Sequence, residues 1–355
     1  MSENDLLIGG NDEHGSDPPT PGKRTPVMPF LDRSILENEF NRPAKLYFLA
    51  GAARCGFRTL DIHPELSDVS ISERVNRSNY SGLSLLVTFA YNAFGSGNFF
   101  NCVSGLLTFY SDRNIKRDLS KQLAEDLYAG ILERSLQKDG RGVASLGVGV
   151  LNSVRLPSAL VEAGFMTNLR EARLMLDPEW QRSIAEGSVA GVCSYAGKEY
   201  TTESDVTAYP QIAKGARGEY VKIAQYMLLV NGYLLDPDGI FGDETDGEVR
   251  RFQRDNRLSE DGIVGPRTWL KLLLPNPSSY VISEGSRGSE VRYAQNKLLS
   301  KLYPLGDADG IFGPRTREAV TEFQKESGLN ADGIIGPLTW NALAGTSSPR
   351  DPFGK

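Results

Sequence analysis

The chain has 355 residues, 24% charged and 40% hydrophobic, a composition of globular domains rather than of collagen, coiled coil or disorder. At roughly 100–200 residues per domain, that length predicts two or three domains. The net charge of −6 lacks the basic field that nucleic acid or an anionic membrane surface would demand, so neither is expected as a partner. Histidine occurs only twice, at His14 and His63, which excludes a site built on three imidazoles.

Two local readings follow. Cys55, Cys102 and Cys193 are odd in number, widely spaced and without a C-x-x-C pair, so they read as buried free thiols. The opening Met1-Ser2-Glu3-Asn4-Asp5 has no basic n-region and no apolar h-region, and no run reaches the ~18 apolar residues of a membrane span. A chain made in the cytoplasm, without an ordinary secretion signal and without membrane insertion, is expected.

In chain order, strand-length apolar runs occupy 6–9, 58–62, 83–91, 105–110 and 158–165. Helical patterns lie between and after them, over 36–55, 70–81, 115–137, 168–176 and 178–195. The alternation predicts an α/β domain over 1–197, a mostly parallel sheet with helices on both faces and a site at the strand C-termini. Pro43 inside the first helical pattern predicts a kink or a later start. The polar segment 196–210 and the proline-rich 274–279 read as linkers.

The last third is two copies of one unit, predicted over 211–274 and 281–345. Lys214-Gly215-Ala216-Arg217-Gly218 returns as Glu284-Gly285-Ser286-Arg287-Gly288 after 70 residues. Phe252-Gln253-Arg254 returns as Phe323-Gln324-Lys325, and Asp261-Gly262-Ile263-Val264-Gly265-Pro266 as Asp332-Gly333-Ile334-Ile335-Gly336-Pro337, both after 71. Inside each copy an Asp-Gly-Ile-Phe-Gly, at 238 and 309, precedes the second Asp-Gly by 23 residues. Two turns per copy predict three helices per copy. Asp-Gly supplies a positive-φ turn, the following Ile is expected to anchor it in the core, and Pro266, Pro314 and Pro337 open the next helix. The Asp-Gly-Ile-x-Gly-Pro-x-Thr-Trp spacing resembles the peptidoglycan-binding repeat of bacterial cell-wall hydrolases. That resemblance implies bacterial peptidoglycan as partner, with two tethered units adding their affinities.

Four stretches of the first domain sit at strand ends or helix starts. They are His14-Gly15 followed by Thr20-Pro21-Gly22-Lys23-Arg24, Leu36 through Arg42, Phe89-Ala90-Tyr91-Asn92-Ala93, and Leu160 through Asn168. In this order they resemble the zinc-dependent N-acetylmuramoyl-L-alanine amidases, with support from Asp68 through Arg74 and Ala185-Glu186-Gly187. The resemblance implies a hydrolase that cleaves the amide between N-acetylmuramic acid and L-alanine, acting at the cell wall after release from the cell. It implies a zinc ion held by two His and one Glu, and a separate Glu as general base and acid. Carried over, His14 and Glu37 fall on metal ligands and Glu162 on the catalytic carboxylate, with Glu39 an alternative to Glu37.

The third ligand position reads Ala90, and a methyl group cannot coordinate a metal. Glu13 stands where a Gly is expected before His14, Asn11 where an Asp is expected, and Leu107 where many members carry Glu. His63 is the remaining imidazole, while Asp12, Glu13 and Asp17 are nearer oxygen donors. The alternative reading is a metal-deficient pseudo-amidase that binds or regulates at the wall.

Overall fold

The computed structural model describes residues 6–16, 23–202, 209–273 and 281–350. Asp17, Thr20-Pro21-Gly22, the linker 274–279 and part of the linker 196–210 lie outside the described residues. Six strands form one sheet: β1 (Leu7–Asp12), β2 (Arg58–Asp61), β3 (Leu85–Asn92), β4 (Leu106–Tyr110), β5 (Gly140–Ser145) and β6 (Ser158–Phe165). Their order is β2-β1-β3-β6-β4-β5. Every pairing is parallel except β4 with β6, so the predicted mostly parallel sheet carries one antiparallel junction. Six helices accompany them: α1 (Asn38–Arg54), α2 (Ile71–Tyr80), α3 (Arg117–Arg134), α4 (Gly149–Ser153), α5 (Leu169–Leu174) and α6 (Pro178–Tyr195).

Strand alternation divides the burial. Phe89, Tyr91, Val161 and Ala163 point to one face, where they join Phe40 and Phe48 of α1, Leu127 of α3 and Val189 of α6. On the other face Leu86 packs with Val150 and Val154, and Ala90 and Leu160 with Leu151 of α4. Two elements escaped the sequence reading. β5 is a sheet edge with no buried residue, so its Gly-Arg-Gly-Val-Ala-Ser has no period-two apolar signal, and α4 is too short to show a helical period.

α1 runs through Pro43 rather than starting after it. A proline at 43 leaves the carbonyl of Glu39 without its helical donor. Gln181 of α6 fills the gap, with Nε2 donating to that carbonyl at 2.9 Å. Of the cysteines, Cys55 and Cys193 are buried as expected, but Cys102 is exposed because it lies in the irregular surface loop before β4.

The C-terminal helices are α7 (Glu219–Val230), α8 (Asp243–Asp255) and α9 (Pro266–Leu273), then α10 (Ser289–Ser300), α11 (Pro314–Glu326) and α12 (Pro337–Leu343). They are docked on the sheet domain instead of hanging from it as tethered beads. Lys222 of α7 donates to the Thr59 carbonyl at 2.5 Å, and Thr59 Oγ1 donates to Glu219 at 2.9 Å. α10 meets α6 through Tyr293, which donates to Glu179 at 2.6 Å, and α5 through Arg173, which donates to the Ser300 carbonyl at 3.3 Å and also to the Thr346 carbonyl beyond α12 at 2.6 Å. At the centre Lys297 Nζ lies 2.8 Å from Asp177, both fully buried. Removing one member of such a pair strands a buried charge at a cost of about 3–5 kcal/mol, so docking and folding of this region are linked.

One network recurs four times inside the two repeats. Gln225, Gln253, Gln295 and Gln324 each send Nε2 to the Asp of an Asp-Gly turn, to the carbonyl two residues after that Asp and to a Thr hydroxyl. Each Oε1 accepts the turn glycine's N–H, from Gly239, Gly262, Gly310 or Gly333, all at φ of 71–78°. The isoleucine after the glycine is not the core anchor. Ile240, Ile311 and Ile334 are exposed, while the next residues, Phe241, Phe312 and Ile335, are buried, because the chain is locally extended there and alternates its faces. Gln324→Ala is expected to leave the Gly333 N–H unpaired, to take one donor each from Asp332, the Ile334 carbonyl and Thr339, and to lower stability by about 3 kcal/mol in equilibrium urea unfolding. A loss below about 1 kcal/mol would show that the turn holds without the amide.

Candidate active site

The site is built as a row across the sheet. Asn11 and Asp12 of β1 pair with Thr88 and Phe89 of β3, and the Glu13 N–H continues that ladder to the Phe89 carbonyl at 3.2 Å. One step further along, Glu13 stands abreast of Ala90. Ala90 is in turn opposite Glu162 of β6, and Glu162 is opposite Leu107 of β4. Neighbours in register share a face, so Glu13 and Glu162 flank a methyl group on the side of the sheet away from α1.

Glu37, at the start of α1, reaches the same place from below. Its Oε1 accepts from the Tyr91 N–H at 2.9 Å and from Asn41 at 3.0 Å, which ties it beside Ala90. His14 follows on the β1 exit, with Nε2 3.6 Å from Glu37 Oε2. Gly15 has to be glycine because a Cβ there would lie 2.2 Å from the backbone nitrogen of Asp68. That close approach fixes the turn that presents His14. One donor atom from each of Glu13, His14 and Glu37 lies within 4.8 Å of the others. The row opens onto a cleft of about 500 Å³ bordered by Lys23, Asp68, Ile71, Arg74 and Val148.

The electrostatics follow from the crowding. Burial, then the Glu13 carboxylate, push Glu37 up to about 8, and burial with Glu13 and Glu37 pushes Glu162 well above the usual carboxylate range. Glu13 is raised as well, chiefly by burial. Burial first, then Lys23, hold His14 down at about 4, so its imidazole is neutral at pH 7 and has a lone pair to give. Among the described residues Glu162 Oε2 is buried with no hydrogen-bond partner. Three convergent N and O donors beside an unsatisfied buried carboxylate oxygen fit a divalent cation.

The other sequence candidates are engaged elsewhere. Glu39 is gripped by Arg33 through two bonds of 2.8 and 2.9 Å and caps the Leu36 N–H. His63 is fully buried, with Nδ1 2.6 Å from Asp12 and Nε2 2.8 Å from the Ser67 carbonyl. Both ring nitrogens are therefore taken, and His63 does not complete the row. Asp12 points to the α1 face, where Lys45 Nζ lies 3.1 Å away, and its pKa falls well below the usual range as Lys45 and His63 outweigh burial. The sequence did not reveal the role of Arg74, whose guanidinium binds Asn11, the Asp12 carbonyl and Asp68, bracing the β1 exit against α2. Its only signal was the six-residue spacing from Asp68 to Arg74.

The family model described as N-acetylmuramoyl-L-alanine amidase matches residues 14–194. The chain belongs to the N-acetylmuramoyl-L-alanine amidase family. Within that assignment, peptidoglycan-binding domain models match 217–272 and 287–343. The amidase CwlL of Bacillus licheniformis is 32% identical over 167 residues, 39% of this chain and 46% of its own length. The zinc D-Ala-D-Ala carboxypeptidase of Streptomyces albus G is 46% identical over 69 residues, 18% of this chain and 26% of its own length. The chain thus spans less than half of each of these two relatives. A solved N-acetylmuramoyl-L-alanine amidase from Clostridium difficile 630 is 25% identical and superposes with a TM-score of 0.48, covering 55% of this chain and 98% of that one. Among the described residues of this family member, no helix is long and apolar enough to cross a membrane.

The placement of His63 generates a test. His63→Ala removes two buried hydrogen bonds and part of the charge balance around Asp12, and is expected to cost about 2 kcal/mol in thermal or urea unfolding. Bound metal per chain, measured by elemental analysis, should stay at the parent value. A loss of metal without a loss of stability would place His63 at the ion instead.

Proposed function

We propose that the chain is a zinc-dependent amidase that cleaves the bond between N-acetylmuramic acid and L-alanine in bacterial peptidoglycan, with the two C-terminal repeats holding it on the wall. The observation that carries the reading is the meeting of His14, on the wall of an open cleft, with the buried Glu37, with Glu162 near both Glu13 and Glu37, in a chain that also carries two peptidoglycan-binding repeats. His14 and Glu37 would hold the zinc, together with a donor from the β1 exit. The ion, when bound, supplies a Lewis acid that polarises the amide carbonyl and eases deprotonation of a water.

The residues do the rest. Glu37 is held by the Tyr91 N–H and Asn41, so its free Oε2 faces His14 without searching rotamers. Glu162 has a buried oxygen with no hydrogen-bond partner among the described residues, the condition for accepting a proton from a water that attacks the carbonyl carbon. It then returns that proton to the nitrogen of L-alanine as the C–N bond breaks. Glu162 would be available as a base once its repulsion from Glu13 and Glu37 is offset by a bound cation.

Glu162→Gln keeps the shape and removes the titratable oxygen. It is expected to lower kcat for release of free amino groups from peptidoglycan by about 10²–10⁴-fold, with zinc content unchanged. Retained turnover would sink the assignment of Glu162. The same inactive variant should co-sediment with insoluble peptidoglycan, and failure to do so would remove the wall-docking role of the repeats.

A further inference from the structure

The two departures at residues 13 and 90 are spatial neighbours. In sequence they lie far apart, and each on its own reads as loss: a glycine replaced by a bulky acid, an imidazole replaced by a methyl. The register of β1 on β3 puts them side by side on one face, with the Glu13 N–H bonded to the Phe89 carbonyl immediately before Ala90. The methyl group at 90 is buried against Leu151 and Leu160 and offers no donor, while the Glu13 carboxylate lies within 4.8 Å of the donor atoms of His14 and Glu37.

We propose that Glu13 is the third metal ligand of this chain, standing in for the side chain missing at Ala90, so that the cation is held by one imidazole and two carboxylates. The inference rests on the reading of the site as a divalent-cation site and goes beyond it in naming the donor set. Tetrahedral zinc with bonds of about 2.1 Å spaces its ligands about 3.4 Å apart. His14 and Glu37 already stand at 3.6 Å, so mainly Glu13 has to close in, by at most about 1.4 Å from the 4.8 Å bound on its separation. The unpartnered Glu162 Oε2 beside the row is the second, independent sign of a missing positive charge.

Ligand chemistry sets the consequence. Exchanging an imidazole for a carboxylate moves the set toward the hard oxygen donors that suit manganese, so the preference for Zn²⁺ over Mn²⁺ narrows. The exchange also makes residues 13 and 90 interchangeable as a pair. Glu with Ala and Gly with His are each complete sets, whereas Gly with Ala lacks a ligand.

The test is calorimetric titration of the full chain, stripped with chelator, with Zn²⁺ and with Mn²⁺. The parent is expected to take one ion, and Glu13→Gly to bind Zn²⁺ at least ~100-fold more weakly, with its metal-free melting curve recorded to confirm folding. Glu13→Gly combined with Ala90→His should regain Zn²⁺ binding and widen the Zn²⁺ over Mn²⁺ ratio beyond the parent's. Should Glu13→Gly not fold, Glu13→Gln with Co²⁺ gives a second readout, in which the visible ligand-field bands of the parent are lost or shifted. Zn²⁺ affinity unchanged in Glu13→Gly, unaltered Co²⁺ bands in Glu13→Gln, or a parent that binds neither ion, overturns the inference. Amide hydrolysis is assayed separately. Metal bound through Glu13 with no amine released leaves this inference standing and overturns the amidase reading, whereas hydrolysis with metal independent of Glu13 does the reverse.

Discussion

The crowding of two buried carboxylates, Glu37 and Glu162, beside the half-buried Glu13 is the constraint on which the site depends. Two unit charges 5 Å apart at an effective dielectric near 20 repel by about 3 kcal/mol. Burial raises all three, and Glu13 adds to the rise of Glu37 and Glu162, so a positive charge among them would ease their ionisation. A fold that only needed stability would not keep such a group. Here the β1 exit, the start of α1 and the middle of β6 are each held so that the carboxylates face one another, by the ladder bond to Phe89, the Tyr91 N–H and the β3–β6 register. Lys45, the buried cation nearest in sequence, is spent on the opposite face with Asp12 and Asp61. Lys23 and Arg74 border the cleft and lower Glu13, yet burial outweighs them and the row stays raised.

The docked repeats change what wall binding means. With flexible linkers, a second binding unit raises effective concentration and leaves geometry free. In this chain Lys297 and Asp177 are buried together, and Asp177 also caps α6 by accepting from the Glu179 and Trp180 N–H groups. A polymer held by the repeats, as proposed, would therefore be presented at a fixed distance and direction from the sheet. Among the described residues, none of the repeats borders the cleft at His14, so the docking leaves that cleft uncovered.

How much of this was legible depended on whether the signal was local. Period-two and period-3.6 patterns marked five of the six strands and the longer helices, because burial on one face writes itself into neighbouring residues. β5 was missed since an exposed edge imposes no such pattern. Pro43 looked like a helix break since its compensation, the Gln181 amide, comes from another helix. The repeats were plain as repeats, yet the burial of Phe241 instead of Ile240 depended on which way a locally extended segment faced, and a one-residue difference there reverses inside and outside. The docking of α10 on α6 left no sequence trace, because Lys297, Tyr293 and Asp177 are ordinary polar residues until they meet. At the site, His14, Glu37 and Glu162 were reached by resemblance, and Ala90 stood out as a gap.

The geometry of a parallel sheet shows why such a gap can be covered from the next strand. Adjacent strands lie about 4.8 Å apart, and side chains in register on one face project in the same direction. A glutamate carries its carboxylate roughly that far from its own backbone, so a donor on β1 can occupy the space in front of β3 without any change in main-chain path. The exchange requires only that the residue on β3 be small, which Ala90 satisfies, and that the new carboxylate not be trapped by a nearby cation. Arg74 is the obvious competitor, but its guanidinium is already used by Asn11, the Asp12 carbonyl and Asp68. A network that looked like scaffolding for the β1 exit therefore has a second effect. By occupying the nearest arginine, it leaves Glu13 available to the row.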